Sequence, residues 1–371
     1  MVDERIKKLA KGLVNYSVKV QENENVLIHL SGSDSYLLGN EIIKEVYNAK
    51  GNAFVKIEDE LLNHTIIKNS SKECFNQMKE FDYEQMKKMD CYIAVRASNN
   101  ISSLSDISSN QMEMYEKEYR DDVLNERVDN TKWVILRYPN DSMAQLAGMS
   151  TEEFEDFYFN VCNLDYGKMN EAMKNLEELM AKTDKVHIVG PGTDLSFSIK
   201  GMGGIRCAGE FNIPDGEVYS APIRDSVNGK ISYNALSTYR NFTFTDIVLE
   251  FENGKIVKAT ANNTEKINEI FDTDEGARYV GEFAIGVNPY VTKPMNDILF
   301  DEKIAGSFHF TPGRAYQDMN NGNVSAIHWD LVCIQTPEYG GGEIYFDDVL
   351  IRKDGRFVLP ELECLNPENL M

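Results

Sequence analysis

Apolar positions along the first part of the chain change their spacing at short intervals. Ile6, Leu9, Leu13 and Val14 recur at helical spacing over residues 3–20, and the polar stretch Gln21 to Asn25 separates them from the apolar run Val26-Leu27-Ile28-His29-Leu30. This order of patterns predicts helix, turn and buried strand. A second helix is expected from Tyr36 to Ala49, ending at Gly51, with a strand over Ala53 to Ile57. Cys91 to Val95 and Trp133 to Leu136 repeat the apolar run, and residues 151–182 read as one or two closing helices. Strands alternating with helices imply a mostly parallel sheet covered on both faces.

The texture changes after Thr183. Short alternating runs take over at Leu195 to Ile199, Ile247 to Phe251, Val324 to His328 and Glu343 to Phe346, separated by Gly, Asn, Asp and Pro. Period-2 alternation between turn residues predicts strands. The expected fold class is therefore α/β: an N-terminal α/β domain over residues 1–183 with a mostly parallel sheet, then a β-rich α+β catalytic domain over 184–371. Gly190-Pro-Gly-Thr-Asp-Leu195 follows a strand, but it lacks the third glycine of a dinucleotide loop and runs on as a strand, so it reads as a turn.

Charge removes several function classes. The 60 acidic side chains outnumber the 38 basic ones, giving a net charge of -22, and such a surface repels phosphate backbones and anionic lipid heads. Nucleic acid and membrane partners are not expected, and no apolar run is long enough to span a bilayer. The amphipathic start, without the apolar core of a secretion signal, points to the cytoplasm. The six cysteines are scattered without C-x-x-C spacing, which suits reduced packing residues.

Candidate chemistry concentrates in the second half. In Asn323-Val-Ser-Ala-Ile-His-Trp-Asp330, strand alternation would send Ile327 and Trp329 to one face and His328 and Asp330 to the other, an imidazole and a carboxylate at ligand distance from one cation. A surface strand with a polar face would look the same. His309, between Phe308 and Phe310, should point away from a core, as would a merely solvated histidine. His29, His64 and His187 read as structural. Glu217 follows the Pro214-Asp-Gly216 turn, which fixes the direction of the residues after it. Glu282 lies in an apolar stretch between Gly281 and Gly286, and a carboxylate there needs a cation, either a metal or Arg278 four residues earlier. Three carboxylates and two imidazoles suit two divalent cations, with about one positive charge left over to stabilise a hydroxide between them, so hydrolysis is the expected reaction.

Ordered segments carry a family resemblance. Asn212-x-Pro-x-Gly-Glu-Val-Tyr-x-Ala-Pro222, Gly281-Glu282 with Gly286-x-Asn-Pro289, Asp301-Glu-Lys-x-x-Gly-Ser-x-His309 and Ile327-His-x-Asp330 resemble the aminopeptidase T family of metallopeptidases, also called M29. Tyr138-Pro139, Ala144 to Ser150 with Phe154, and Gly192 to Leu195 extend the likeness upstream. The resemblance implies removal of the amino-terminal residue from peptides with a free amino terminus by a two-metal-activated hydroxide. It implies zinc or cobalt as the metal and a homodimer as the assembly. It implies that Glu217 bridges the metals, that Glu282 and His309 hold one and that His328 and Asp330 hold the other. Tyr316 would hydrogen-bond the developing oxyanion, and Glu282 or another carboxylate would shuttle the proton. Two alternatives stay open at this point: a non-catalytic peptide- or metal-binding homologue, and a two-metal phosphoesterase.

Overall fold

The computed structural model describes residues 2–100, 102–240 and 242–371. The chain forms two compact units, Met1–Asn163 with Gly209–Ile213, and Leu164–Ala208 with Pro214–Met371.

In the first unit, the four apolar runs become parallel strands β1 (Asn25–Ser31), β2 (Asn52–Glu58), β3 (Cys91–Arg96) and β4 (Lys132–Arg137) in the order β2-β1-β3-β4. A short strand, Asn212–Ile213, adds in parallel beside Ile135 and Leu136. β1 and β3 are buried along almost their whole length, which is why they read as unbroken apolar runs. Helix α1 (Glu4–Gly12) buries Ile6, Leu9 and Ala10 on one stripe and is capped by Asp3, whose side chain accepts from the Arg5 N–H. Its rhythm continues through a wider π turn, Leu13–Ser17. Helix α2 (Tyr36–Asn48) matches its expected span to within a residue.

The second unit opens with α3 (Tyr166–Lys182), whose Met169, Met173, Leu176 and Met180 are fully buried at helical spacing. It packs on β5 (Ile205–Cys207) and β6 (Glu217–Ser220). Arg206 on β5 ties the helix down, donating to Asn170 at 2.7 Å and pairing with Glu177 at 2.9 Å. The remaining strands of this sheet are β7 (Val280–Gly286), β8 (Ser307–Pro312) and β9 (Val332–Ile334), giving the antiparallel order β9-β8-β7-β6-β5. A second antiparallel sheet of eight strands includes Lys185–Gly190, Thr193–Ser198, Val248–Glu252 and Glu343–Phe346. Phe197 of that sheet lies 5.0 Å from Phe283 and 4.9 Å from Phe310, ring to ring, and Phe251 lies 5.9 Å from Phe310. The aromatic core thus fills the space between the two sheets.

The α/β class and the mostly parallel N-terminal sheet are as expected, and Pro191 and Gly192 form the turn of a hairpin whose strands run through Gly190 and from Thr193. One expected strand is absent: Val324 to His328 has no ladder, only a single bridge between Gly313 and His328. No described helix is long and apolar enough to cross a membrane.

Candidate metal centre

Alternation along β6, β7 and β8 decides which side chains meet. Val218, Phe283, Ile285, Phe308 and Phe310 face the aromatic core, so Glu217, Glu282, Ala284, Gly286, His309 and Thr311 share the opposite face. Register then sets neighbours: Ala284 pairs with His309, Glu282 with Thr311, and Gly286 with Glu217. The turn before Glu217 uses Gly216 at φ +135°, a conformation that L side chains rarely adopt. Ahead of Glu282 the register slips by a residue, and a Cβ on Gly281 would stand 2.4 Å from the Arg314 carbonyl oxygen. Only glycine lets the 313–314 backbone come so close.

That backbone holds the next ligand candidate. His328 Nδ1 donates to the Arg314 carbonyl at 2.8 Å, which leaves Nε2 facing the carboxylates. Ile327 and Trp329 are buried, and Trp329 stacks on Tyr239 at 4.7 Å. The alternation expected around His328 is therefore realised by an irregular segment anchored on its aromatic neighbour.

Glu282 lies at the middle of the cluster. Its Oε1 stands 3.3 Å from His309 Nε2 and its Oε2 3.2 Å from His328 Nε2. Asp330 Oδ1 is 3.2 Å from His328 Nε2 and accepts from the Thr311 hydroxyl at 2.8 Å. Glu217 Oε2 is 3.6 Å from His309 Nδ1, and its Oε1 accepts from Lys303 Nζ at 2.5 Å. Lys303 also reaches Glu302 at 2.8 Å and Asp215 at 3.5 Å.

Two groups with metal-ligand spacing result, Glu217-Glu282-His309 and Glu282-His328-Asp330, and Glu282 is common to both. Glu217 Oε2 and His309 Nδ1 are buried without a hydrogen-bond partner, an uncommon condition for buried polar atoms that fits a metal-binding role. Charge points the same way. The carboxylates of Asp215, Glu217, Glu282 and Asp330 outnumber the one ammonium among them, Lys303, a surplus of negative charge that suits divalent cations.

Without those cations the histidines take protons. Burial lowers the basicity of His309 but Glu217 and Glu282 outweigh it, raising its pKa to about 10. Burial likewise opposes the rise at His328, where Asp330 and Glu282 push it to about 12. Burial works against ionisation of Asp330 and Glu282, yet the histidines hold both carboxyls below the ordinary range. Burial raises the Glu302 carboxyl to about 8 against the pull of Lys303.

All five expected ligand candidates come together, with differences in detail. His309 does not sit on a solvated face: both faces of β8 are buried and His309 is 1% exposed. Arg278 is not the partner of Glu282; it ends a 3₁₀ turn and binds Asp272 at 2.6 Å. Tyr316 is 45% exposed, with its ring 4.7 Å from that of His328. His29, His64 and His187 are bonded to Tyr92 and Glu58, to Asp106 and to Asp194 respectively. Cys207 departs from a plain packing role, lying with Asp215 and Glu217 in a third ligand-spaced group. Sequence reasoning missed Lys303, Asp215, Glu302 and Thr311. The first three lie inside the motif segments and are ionisable residues among buried neighbours, a signal open to a closer reading.

A buried carboxylate and imidazole cluster of this spacing, on a two-sheet unit, defines a protein equipped to hold divalent cations. The profile of the thermophilic metalloprotease (M29) family matches residues 2–357, and the chain belongs to that family. Aminopeptidase AmpS of Bacillus subtilis (strain 168) is 26% identical over 352 residues, covering 84% of this chain and 85% of the relative. Aminopeptidase T of Thermus thermophilus is 33% identical over 205 residues, covering 47% of this chain and 49% of that protein. Among solved structures, wild-type AmpT from Thermus thermophilus superposes with a TM-score of 0.79 at 21% identity, over 96% of this chain and 99% of that one. The 2,5-dihydroxypyridine dioxygenase of Pseudomonas putida KT2440 superposes at 0.62 with 14% identity, over 96% and 98%. These two likenesses establish a shared fold, and the second is a reminder that fold alone does not decide chemistry.

Proposed function

We propose that this chain is a metal-dependent aminopeptidase that removes the amino-terminal residue from peptides. The observation that carries the reading is the pair of ligand groups sharing Glu282, in a chain of the M29 family whose named relatives are aminopeptidases. In this reading Glu217, Glu282 and His309 would hold one cation and Glu282, His328 and Asp330 a second, the two groups meeting at Glu282. Lys303 occupies Glu217 Oε1, which leaves Oε2 turned toward His309. Oxygen and nitrogen donors in both groups suit zinc or cobalt. When bound, two such ions polarise a peptide carbonyl and acidify an attacking water.

The protein's own residues supply the rest. Thr311 fixes Asp330, and the Arg314 carbonyl fixes the tautomer of His328. Glu302, a buried carboxyl with a pKa of about 8, would be the carboxylate that takes up and returns a proton near neutrality. Burial, then Glu282 and Asp330, push the Tyr316 hydroxyl up, keeping it a donor toward negative charge on the substrate oxygen. A homodimer and a cytoplasmic setting are proposed on the family resemblance, and sedimentation and cell fractionation test them.

The test is cleavage of a peptide library with free and with acetylated amino termini, beside a phosphodiester, using metal-loaded and chelator-stripped protein. Release of single residues from free amino termini by the loaded protein is expected. Equal cleavage of acetylated peptides, or full turnover after stripping, would overturn the reading.

A further inference from the structure

Lys303 takes no part in the proposed hydrolysis beyond holding Glu217 Oε1, yet few residues of the unit are placed so tightly. Its side chain is 2% exposed. Its ammonium stands 2.5 Å from Glu217 Oε1, 2.8 Å from Glu302 Oε1 and 3.5 Å from Asp215 Oδ1. Burying an ammonium costs several kcal/mol unless it is paired, so a lysine here needs these carboxylates as much as they need it.

The same carboxylates form part of something else. Cys207, Asp215 and Glu217 each offer a ligand atom within 4.8 Å of the other two, a thiol and two carboxylates at the spacing of a third metal pocket. Cys207 pairs across the sheet with Glu217, so the thiol is delivered to that pocket by strand register. Lys303 bonds two of its three members.

We propose that Lys303 is a resident cation that closes this third pocket to metal and thereby fixes the number of bound ions at two. By holding Glu217 Oε1, it leaves only Oε2 turned toward His309, where it is buried and unpartnered. Glu217 thus becomes a one-oxygen ligand of a single ion, and Glu282 the carboxylate shared by two. Lys303 is a positioning residue, not a catalytic one. A lysine buried only for packing could be exchanged for methionine, of similar length, with no change in metal count. The inference rests on the metal-dependent reading above.

The experiment loads the wild type and Lys303→Met with cobalt(II) after chelation, counts metal by elemental analysis and records the near-ultraviolet spectrum. Wild type is expected to hold two ions without a thiolate-to-cobalt charge-transfer band. Lys303→Met is expected to hold three and to gain that band as Cys207 gives its thiol proton to solvent. Adding Cys207→Ser to Lys303→Met should remove the band. Two ions and no band in Lys303→Met overturn the proposal, while a wild type that binds no cobalt overturns the metal-dependent reading instead. If Lys303→Met folds only with metal present, refolding it in cadmium and finding three ions supports the proposal. Failure to refold with any divalent ion, while Lys303→Arg folds, overturns it.

Discussion

Glu282→Gln separates a carboxylate shared by two cations from one that serves a single cation. The amide keeps the size of the side chain and removes its charge at a position whose side chain is 4% exposed and touches both histidines. Two unit charges about 4 Å apart interact by roughly 4 kcal/mol at an effective dielectric of about 20, and a divalent ion doubles that. Allowing half for the amide dipole and local relaxation leaves a loss of about 4 kcal/mol for each ion. Every 1.4 kcal/mol is tenfold, so both ions should bind about a thousandfold more weakly. Glu217→Gln and Asp330→Asn should each weaken one ion strongly and the other little. Competition titration with a chromophoric chelator resolves the two affinities, and hydrolysis of an aminoacyl amide follows their consequence. Refutation would be a Glu282→Gln protein with one affinity intact, or a Glu217→Gln protein that loses both ions together.

Three further outcomes follow from neighbouring contacts. Burial raises the Asp301 carboxyl to about 7, so its contribution to stability is complete below its unfolded value near 3.8 and is lost as pH rises through 7. Asp301→Asn keeps an acceptor for the Met295 N–H, bonded at 2.5 Å, and should be the more stable protein at pH 8, on the order of a few kcal/mol, with less than half that gain at pH 5; parallel melts at the two pH values check the slope, and equal shifts would refute it. Thr311→Val removes the hydroxyl that orients Asp330 and should cost about 10- to 100-fold in affinity for one ion, with Thr311→Ser restoring it in the same titration. Gly281→Ala must push the Arg314 carbonyl away, so a loss of about 1–3 kcal/mol in thermal unfolding together with weaker metal binding at His328 is expected; an unchanged melting temperature would show that the backbone yields freely.

Which features can be read from the residues depends on how local their causes are. Glu343–Phe346 is a strand with the expected bounds because alternation and flanking turns act within a few residues. His328 and Asp330 were readable as a pair for the same reason, although the segment forms no ladder and relies on Trp329 docking against Tyr239, Phe244 and Phe271. Arg278 shows the limit of local reasoning. Four-residue spacing makes it a partner of Glu282 only on a helix, and the 3₁₀ turn stops at Arg278 as the strand begins at Val280. Lys303 is harder still: lysine is an unlikely interior residue, and its partner Glu217 lies 86 residues away. The return of Gly209–Ile213 to the first unit is likewise decided by a distant pairing beside β4.

The long separation between Glu217 and Lys303 has a bearing on when the cluster is completed. Contacts that close such long loops form late, since loop-closure entropy must be met before they are rewarded. On the ribosome Glu217 emerges well before Lys303, and His328 and Asp330 later again. During that interval the growing polypeptide holds scattered carboxylates and imidazoles, and no assembled centre. The cluster therefore assembles only after residues through Asp330 have been made and the neighbouring strands are in place.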